Sequence, residues 1–292
     1  MIPHSARLQR VLNSLCMIFP ENALNVRTLQ NFIFDLDGVI WRGHTPIVGA
    51  VEAVNQLRAG GKRCFYCTNN SRLSQSQFAD RLRSIGLQLE DEDVISSSWA
   101  TARFLETEMP KGFSVFVVGE DGLRGALQSV GARVISAEEA ESEVADCVVA
   151  GIDREFNYEK MRLAQRQILR GARFIATNRD ATFPVEEGVV PGSGSIIAAI
   201  VTASGTEPTT IGKPAPLMLQ LCVEKFGLVR EQTAMIGDRL DTDIACAHRA
   251  GLPAILVLTG VNSRADGETA QGEEKPDAIF DDLPALLANL IQ

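Results

Sequence analysis

A chain of 292 residues with 45% hydrophobic composition is long enough to bury a full core, as one large domain or two ordinary ones, and is not a disordered polymer. Its formal net charge of −9 and the lack of any long Lys/Arg run exclude tracking along a nucleic-acid backbone or docking on an anionic membrane, leaving a small soluble substrate as the default. No stretch approaches the ~20 consecutive apolar residues of a membrane-spanning helix.

In chain order, Leu8, Val11, Leu12, Leu15 and Ile18 recur at helical spacing, with Arg7 and Arg10 alongside and no acid before Glu21. This extension, residues 1–27, reads as a short amphipathic helix packed on the body or on a second subunit, in preference to a targeting peptide. From there short apolar runs alternate with helical patterns, as α/β units around parallel sheets do. Strands are predicted at Asn31 to Phe34, Arg63 to Cys67, Ser114 to Val118, Cys147 to Ala150, Phe174 to Thr177, Thr233 to Ile236 and Ala254 to Leu258. The 3.6-residue period predicts helices near Gly49 to Ala59, Ser74 to Ile85, Tyr158 to Arg170, Pro216 to Phe226 and Thr242 to Ala250. These suffice for two sheets. The six scattered cysteines suit a reduced, cytoplasmic enzyme. Cys64 and Cys67 form a CxxC, but in a strand residues three apart point to opposite faces, so core filling is the reading. The three histidines stand at no ligand spacing, which argues against a zinc site.

Three strand-like runs end abruptly in a polar residue: FIF in Asp35, CFYC in Thr68 and AMIG in Asp238. In an open parallel sheet the ligand crevice lies outside the carboxyl ends of the strands, so these residues are expected to converge. Asp35 and Asp37, two apart, can project the same way, one to attack and one to move protons, while Gly38 turns the chain away. A lone DxDG would more simply be a solvated turn. Lys213 precedes Pro214, which is predicted to open a helix; a cation there is unfavourable unless an anion such as a phosphoryl group lies beside it. Asp238 can ligate a hard cation through oxygen. Asp241 and Thr242 read as helix-capping residues, and Asp243 as a partner behind the metal ligands.

The order Asp35/Asp37, Thr68-Asn69, Lys213, Asp238/Asp243 resembles the four-motif sequence of the haloacid dehalogenase superfamily. The stretches Thr68-Asn69-Asn70-Ser71-Arg72, Ala176-Thr177-Asn178-Arg179-Asp180, Gly212-Lys213-Pro214 and Gly237 to Asp243 are similar to its subfamily IIA phosphatases. The resemblance covers the chain from about Leu29. It implies an α/β fold: a Rossmann-like core with a parallel sheet, residues 28–106 and 208–292, interrupted by an α/β cap over 107–207. It further implies a phosphatase that binds Mg2+ through Asp35, Asp238 and the backbone carbonyl of Asp37. Asp35 would be the nucleophile and Asp37 the acid and base. Thr68, the Asn69 backbone and Lys213 would hold phosphoryl oxygens, with Asn70, Ser71 and Arg72 facing the leaving group. Relatives with such a cap commonly pair through it, which makes a homodimer a candidate.

Asp37 argues against a dehalogenase, which would not need a second acid. A phosphomutase shares the core site and is the nearer alternative; a non-catalytic phosphometabolite-binding protein or phospho-receiver is the rival from another class. Gly192-Ser193-Gly194 has Ile197 where a dinucleotide fingerprint needs glycine, and Lys213 lacks the P-loop context, so no nucleotide cofactor is indicated. The substrate is a small phosphorylated metabolite: phosphoglycolate, glycerol or sugar phosphates, pyridoxal phosphate, p-nitrophenyl phosphate and nucleotides all remain candidates.

Overall fold

The computed structural model describes residues 24–185 and 188–291. The helix read over Leu8 to Ile18, with Cys16, lies outside the described residues. Strand β1 (Asn31–Phe34) is buried at every position because both of its faces are covered. Ile33 enters one apolar cluster while Phe32 and Phe34 enter another on the opposite side of the sheet. β1 pairs in parallel with β4 (Arg63–Thr68) on one side and β13 (Thr233–Gly237) on the other. β5 (Val94–Ser96), β14 (Ala254–Val257) and β15 (Ala278–Phe280) complete the order β15-β14-β13-β1-β4-β5. The strand order therefore reverses at β1, which opens a crevice at the carboxyl ends of β1 and β13.

Helices Ala50–Ala59, Gln75–Ser84 and Leu283–Ile291 cover one face of this sheet. The second of these opens on a capping box in which Ser74 and Gln77 satisfy each other's backbone N–H. Helices Ser97–Glu108, Leu217–Phe226 and Ala245–Arg249 cover the other face. Cys64 and Cys67 fall in opposite clusters, as strand geometry requires, and the described cysteines are buried and unpaired.

Among the described residues a second parallel sheet has the order β12-β9-β8-β6-β7. Its strands are β6 (Ser114–Val118), β7 (Arg133–Val134), β8 (Cys147–Ala150), β9 (Arg173–Ala176) and β12 (Thr209–Thr210). Val115 and Val117 face the cluster that also holds Ile33 and Phe65 of the first sheet, with Leu105 of helix Ser97–Glu108 in the same cluster. Phe116 and Val118 face away, toward helices Tyr158–Leu169 and Ser193–Ser204. Two hairpins flank the sheets: β2 (Trp41–Arg42) with β3 (Thr45–Pro46), and β10 (Thr182–Val185) with β11 (Gly188–Pro191).

Two expectations are corrected. Pro214 does not open a helix: the helix begins at Leu217 with Pro216 as its N-cap, so Lys213 stands in the preceding loop, away from the helix terminus. The helix read over Thr242 to Ala250 is a π-helical turn, Leu240–Ile244, running into Ala245–Arg249. Asp241 and Thr242 lie inside that turn and do not cap it; Asp241 pairs with Arg239, and Asp243 accepts the N–H groups of Asp238 and Arg239.

The loop after β4 is pressed against the second sheet at Gly122, whose N–H donates to the Arg72 carbonyl at 3.0 Å. A Cβ at Gly122 would lie 2.5 Å from the Leu73 carbonyl carbon, with backbone that cannot swing aside. Gly122→Ala should therefore destabilise the fold by about 1–3 kcal/mol. Gly125→Ala, on the same helix but facing open space, should stabilise it by up to about 1 kcal/mol. Denaturant midpoints of the two variants check this; equal midpoints would refute the close approach.

Candidate active site

Asp35 follows β1, Thr68 ends β4 and Asp238 follows β13, so the three strand ends meet at the crevice. Lys213 enters from the loop after β12 and is 3% exposed. Its ammonium donates to Asp35 Oδ1 at 2.5 Å, Asp243 Oδ1 at 2.7 Å and the Cys67 carbonyl at 3.3 Å, so its three hydrogens find three acceptors. Asp243 Oδ2 accepts the Asp238 and Arg239 N–H groups, each at 3.2 Å, which fixes the carboxylate behind Lys213. Asp238 Oδ2 accepts from Val261 N at 2.8 Å, whereas its Oδ1 is buried with no hydrogen-bond partner.

Asp37 stands apart from this chain of charges. Its Oδ1 accepts from the Trp41 indole N–H at 3.0 Å, and Trp41 is in turn covered by the Arg81 guanidinium, 4.0 Å from the ring centroid. Burial raises the Asp37 carboxyl above its ordinary range, against the Trp41 hydrogen bond and the charges of Arg81 and Lys213. Burial also raises Asp35 well above its usual value; Lys213 opposes the rise, and Asp243, Asp238 and Asp37 add to it. Burial pulls Lys213 down, but Asp243 and Asp35 outweigh it and hold the ammonium charged. Asp238 is pushed up to about 7 by burial and by Asp243.

These directions express one deficit: three buried carboxylates, Asp35, Asp238 and Asp243, crowd a single ammonium, with Asp37 close by. Oxygens of Asp35, Asp238 and Asp243 lie within 4.8 Å of one another. Both oxygens of Asp243 are engaged by protein, while Asp35 and Asp238 each keep one oxygen without a protein partner among the described residues. A small hard divalent cation that takes oxygen ligands fits this centre, supplying the missing charge and a partner for the orphaned oxygen of Asp238.

The loop after β4 is ordered by Asn69. Its Nδ2 donates to both Asp180 oxygens (3.2 and 3.1 Å) and to the Lys213 carbonyl (2.9 Å), and its Oδ1 accepts from Lys213 N at 2.8 Å. The Asn69 carbonyl accepts from Asn178 Nδ2 at 2.6 Å, so the second sheet grips the same loop. Thr68 Oγ1 accepts from Asn70 N, and Asn70 Oδ1 from Arg72 N, which turns the chain so that Thr68, Asn70 and Arg72 line a cavity of about 240 Å3 between the sheets. Ser71 does not line it. It is buried beside Thr177, whose hydroxyl approaches its own at 3.4 Å, because alternate residues of this turn face the second sheet. Asn178, Asp180 and Arg239, which line the cavity, stand in stretches that carry the resemblance but receive no site role from the sequence, and Trp41, which holds Asp37, is not singled out there at all. The Thr-Asn pair that ends both β4 and β9 is the signal that could have found Asn178.

Residues 32–133 match the family model of haloacid dehalogenase-like hydrolases, and residues 210–286 match a second, HAD-hydrolase-like model. The chloroplastic phosphoglycolate phosphatase 1A of Arabidopsis thaliana is 36% identical over 270 residues, covering 86% of this chain and 75% of the relative. The chain belongs to the haloacid dehalogenase-like hydrolases. Within that family it is also similar to the 5'-nucleotidase YutF of Bacillus subtilis, at 36% identity over 88% of this chain and 97% of the relative. The glycerol phosphate phosphatase Rv1692 of Mycobacterium tuberculosis, solved in complex with magnesium, superposes with a TM-score of 0.83 at 35% identity, covering 90% of this chain and 78% of that one.

The arrangement makes Asp243 a keystone of this family site. Asp243→Leu removes one of the ammonium's three acceptors, strands two buried amide N–H groups and should cost about 3 kcal/mol of stability. Asp241→Asn, two residues earlier in the same turn and in a solvent-facing pair with Arg239, should cost less than about 1 kcal/mol. Unfolding midpoints measured side by side would expose the error if the two variants were equally stable.

Proposed function

We propose that this chain is a magnesium-dependent phosphatase that hydrolyses phosphate monoesters of small molecules through an ester on Asp35. The observation that carries the reading is the buried Asp35–Lys213–Asp243 chain beside the unpartnered oxygen of Asp238, with Asp37 held separately by Trp41. Asp35, Asp238 and the backbone carbonyl of Asp37 would hold magnesium, which supplies positive charge against the phosphoryl oxygens. Asp35 attacks phosphorus in line, and the bond to the leaving oxygen breaks as Asp37 gives that oxygen its proton. The rise that burial imposes on Asp37 suits a group that must carry a proton there. Thr68, the Asn69 N–H and Lys213 hold the phosphoryl oxygens, while Asn70 and Arg72 face the leaving group. Water then attacks the phosphorus of the Asp35 ester, Asp37 takes up its proton, and inorganic phosphate departs with the Asp35 carboxylate restored.

In this reading residues 28–106 and 208–292 form the chemical core, 107–207 the cap that selects the substrate, and 1–27 an extension. Phosphoglycolate, glycerol and sugar phosphates, pyridoxal phosphate and p-nitrophenyl phosphate are the candidate substrates; all but pyridoxal phosphate appear in the names of relatives. We place the enzyme in the cytoplasm, working as a homodimer paired through the cap. Among the described residues no helix is long and apolar enough to cross a membrane.

Asp35→Asn keeps the shape but cannot attack, so turnover should fall by several orders of magnitude while the fold persists. Activity should vanish with chelator and return with magnesium but not calcium, whose looser coordination misplaces the nucleophile. Full activity in either case, read by phosphate release, would end the proposal. Asp37→Asn should block alkyl phosphates, whose alkoxide needs a proton. With p-nitrophenyl phosphate it should give a burst approaching one nitrophenolate per site and then slow turnover. Undiminished steady rates on both substrates would remove Asp37 from acid–base chemistry.

A further inference from the structure

Trp41 is among the largest side chains of the interior, 2% exposed, and its indole N–H can only donate, so burial obliges it to find an acceptor. The acceptor is Asp37 Oδ1, at 3.0 Å. The local backbone brings the two together: Trp41 N donates to the Leu36 carbonyl at 3.1 Å and Gly38 N to the Trp41 carbonyl at 2.7 Å, which closes a tight turn over residues 36–41.

The hairpin of β2 and β3, which carries Trp41, is gripped from two sides. Arg81 of helix Gln75–Ser84 donates through Nη2 to the Gly43 carbonyl at the hairpin tip, at 2.5 Å, and lays its guanidinium over the face of the Trp41 ring. A cation in that position is attracted to the ring, more so when partly withdrawn from water. Phe78 and Leu82 of the same helix share the apolar cluster of Trp41 and Ile40, so helix and ring pack as one body. On the other side Arg42 Nη2 donates to the Thr259 carbonyl at 2.6 Å, and Thr259 Oγ1 donates to the Gly38 carbonyl at 2.6 Å. The indole is thus held by its face while its edge holds Asp37. Neither Trp41 nor Arg81 lines the cavity of the reacting groups, whereas Asp37 does.

When Asp37 carries the proton that a leaving oxygen needs, only one of its two oxygens bears it. Oδ1 faces a group that donates and does not accept, so the proton stands on Oδ2, which has no hydrogen-bond partner among the described residues. We infer that Arg81 and Trp41 are positioning residues for proton transfer: Arg81 fixes the indole, and the indole fixes the Asp37 carboxyl so that Oδ2 gives its proton to the leaving oxygen and later takes one from water. The inference rests on the phosphatase reading and adds to it two side chains that lie outside the reacting cavity. A carboxyl released from the indole turns about its own torsions, and proton transfer, which needs the heavy atoms about 2.6–3.2 Å apart, slows.

Trp41→Phe keeps a ring beneath Arg81 and deletes the N–H; Arg81→Met keeps the length of the side chain and deletes the charge and the donor. Two esters read the effect, since an alkoxide needs the proton to depart and nitrophenolate does not. With glycerol 3-phosphate, Trp41→Phe should lower kcat/KM at least about thirtyfold. With p-nitrophenyl phosphate it should lower kcat/KM less than about threefold while kcat and KM fall together, because breakdown of the Asp35 ester still waits on Asp37. Arg81→Met should favour nitrophenyl over glycerol ester in the same direction, by at least about threefold relative to wild type. Equal loss with both esters, which is what packing damage alone produces, or loss with neither would overturn the inference. A second readout needs no turnover. The chain has two tryptophans, Trp41 and Trp99, whose indole N–H resonances are assigned by replacing each with phenylalanine. Asp37→Ala and Arg81→Met should each move the Trp41 resonance and leave that of Trp99 in place; a Trp41 resonance that ignores either substitution would also overturn the inference. If the resonance responds to both but wild type releases phosphate from neither ester, the coupling of Arg81 to Asp37 is supported and the phosphatase reading alone is refuted.

Discussion

An ammonium group withdrawn from water needs an acceptor for each of its hydrogens and a negative charge to hold its proton. Lys213 obtains both only when three distant parts of the chain come together: Asp35 after β1, Asp243 in the π-helical turn and the Cys67 carbonyl in β4. The Lys213 side chain therefore ties β1 to β4 and to the turn after β13, across the point where the strand order reverses. The close packing of Gly237 against the Asp243 side chain and of Gly38 and Gly260 against Asp238 follows from the same demand, since a methyl group at any of them would occupy the space of a carboxylate. Burying so many acids beside a single cation costs stability that the apolar clusters on both faces of the sheet must offset, and it leaves the centre electrostatically incomplete without a divalent ion.

The second sheet is bound to this centre through the loop of residues 69–73. Asn178 and Asp180, just after β9, both bond Asn69, Thr177 beside them meets Ser71, and Gly122, in the helix that follows β6, donates to the Arg72 carbonyl. The loop that follows β4 in the first sheet is thereby braced by the second sheet and its helices. Asn69 joins the two sides directly, since its amide donates both to Asp180 and to the Lys213 carbonyl.

Much of the core was legible in the sequence because a buried parallel strand is an uninterrupted apolar run, and a polar residue closing it marks the carboxyl end. That logic brings Asp35, Thr68 and Asp238 to one crevice, where the structure also places Lys213 and Asp243. It fails where polar residues are buried. Helix Ser97–Glu108 begins with Ser96, Ser97 and Ser98, all inaccessible, and so hides behind a string that reads as a turn. Pro214 suggested a helix start because its ring suits that position, yet the loop continues to Pro216. Asp241 and Thr242 suggested caps because the local pattern cannot reveal a π-helical turn, whose wider spacing turns Asp243 toward the amide groups. The bracing by Asn178 and Asp180 joins residues more than a hundred positions apart, and neither periodicity nor composition carries that information.

The central position of β1 shapes how the molecule is made. Asn31 to Phe34 leave the ribosome among the first described residues, and β4 soon supplies one neighbour, but Thr233 to Ile236, which line the other edge, are some two hundred residues away. At about 5–20 residues per second that delay is on the order of 10–40 s, during which an apolar strand keeps one unpaired edge while the entire second sheet is synthesised. An edge of that kind is a template for pairing with another nascent chain. The second sheet, whose β6, β8 and β9 strands can pair as soon as they emerge, has time to settle against helix Ser97–Glu108 before β13, β14 and β15 complete the first sheet.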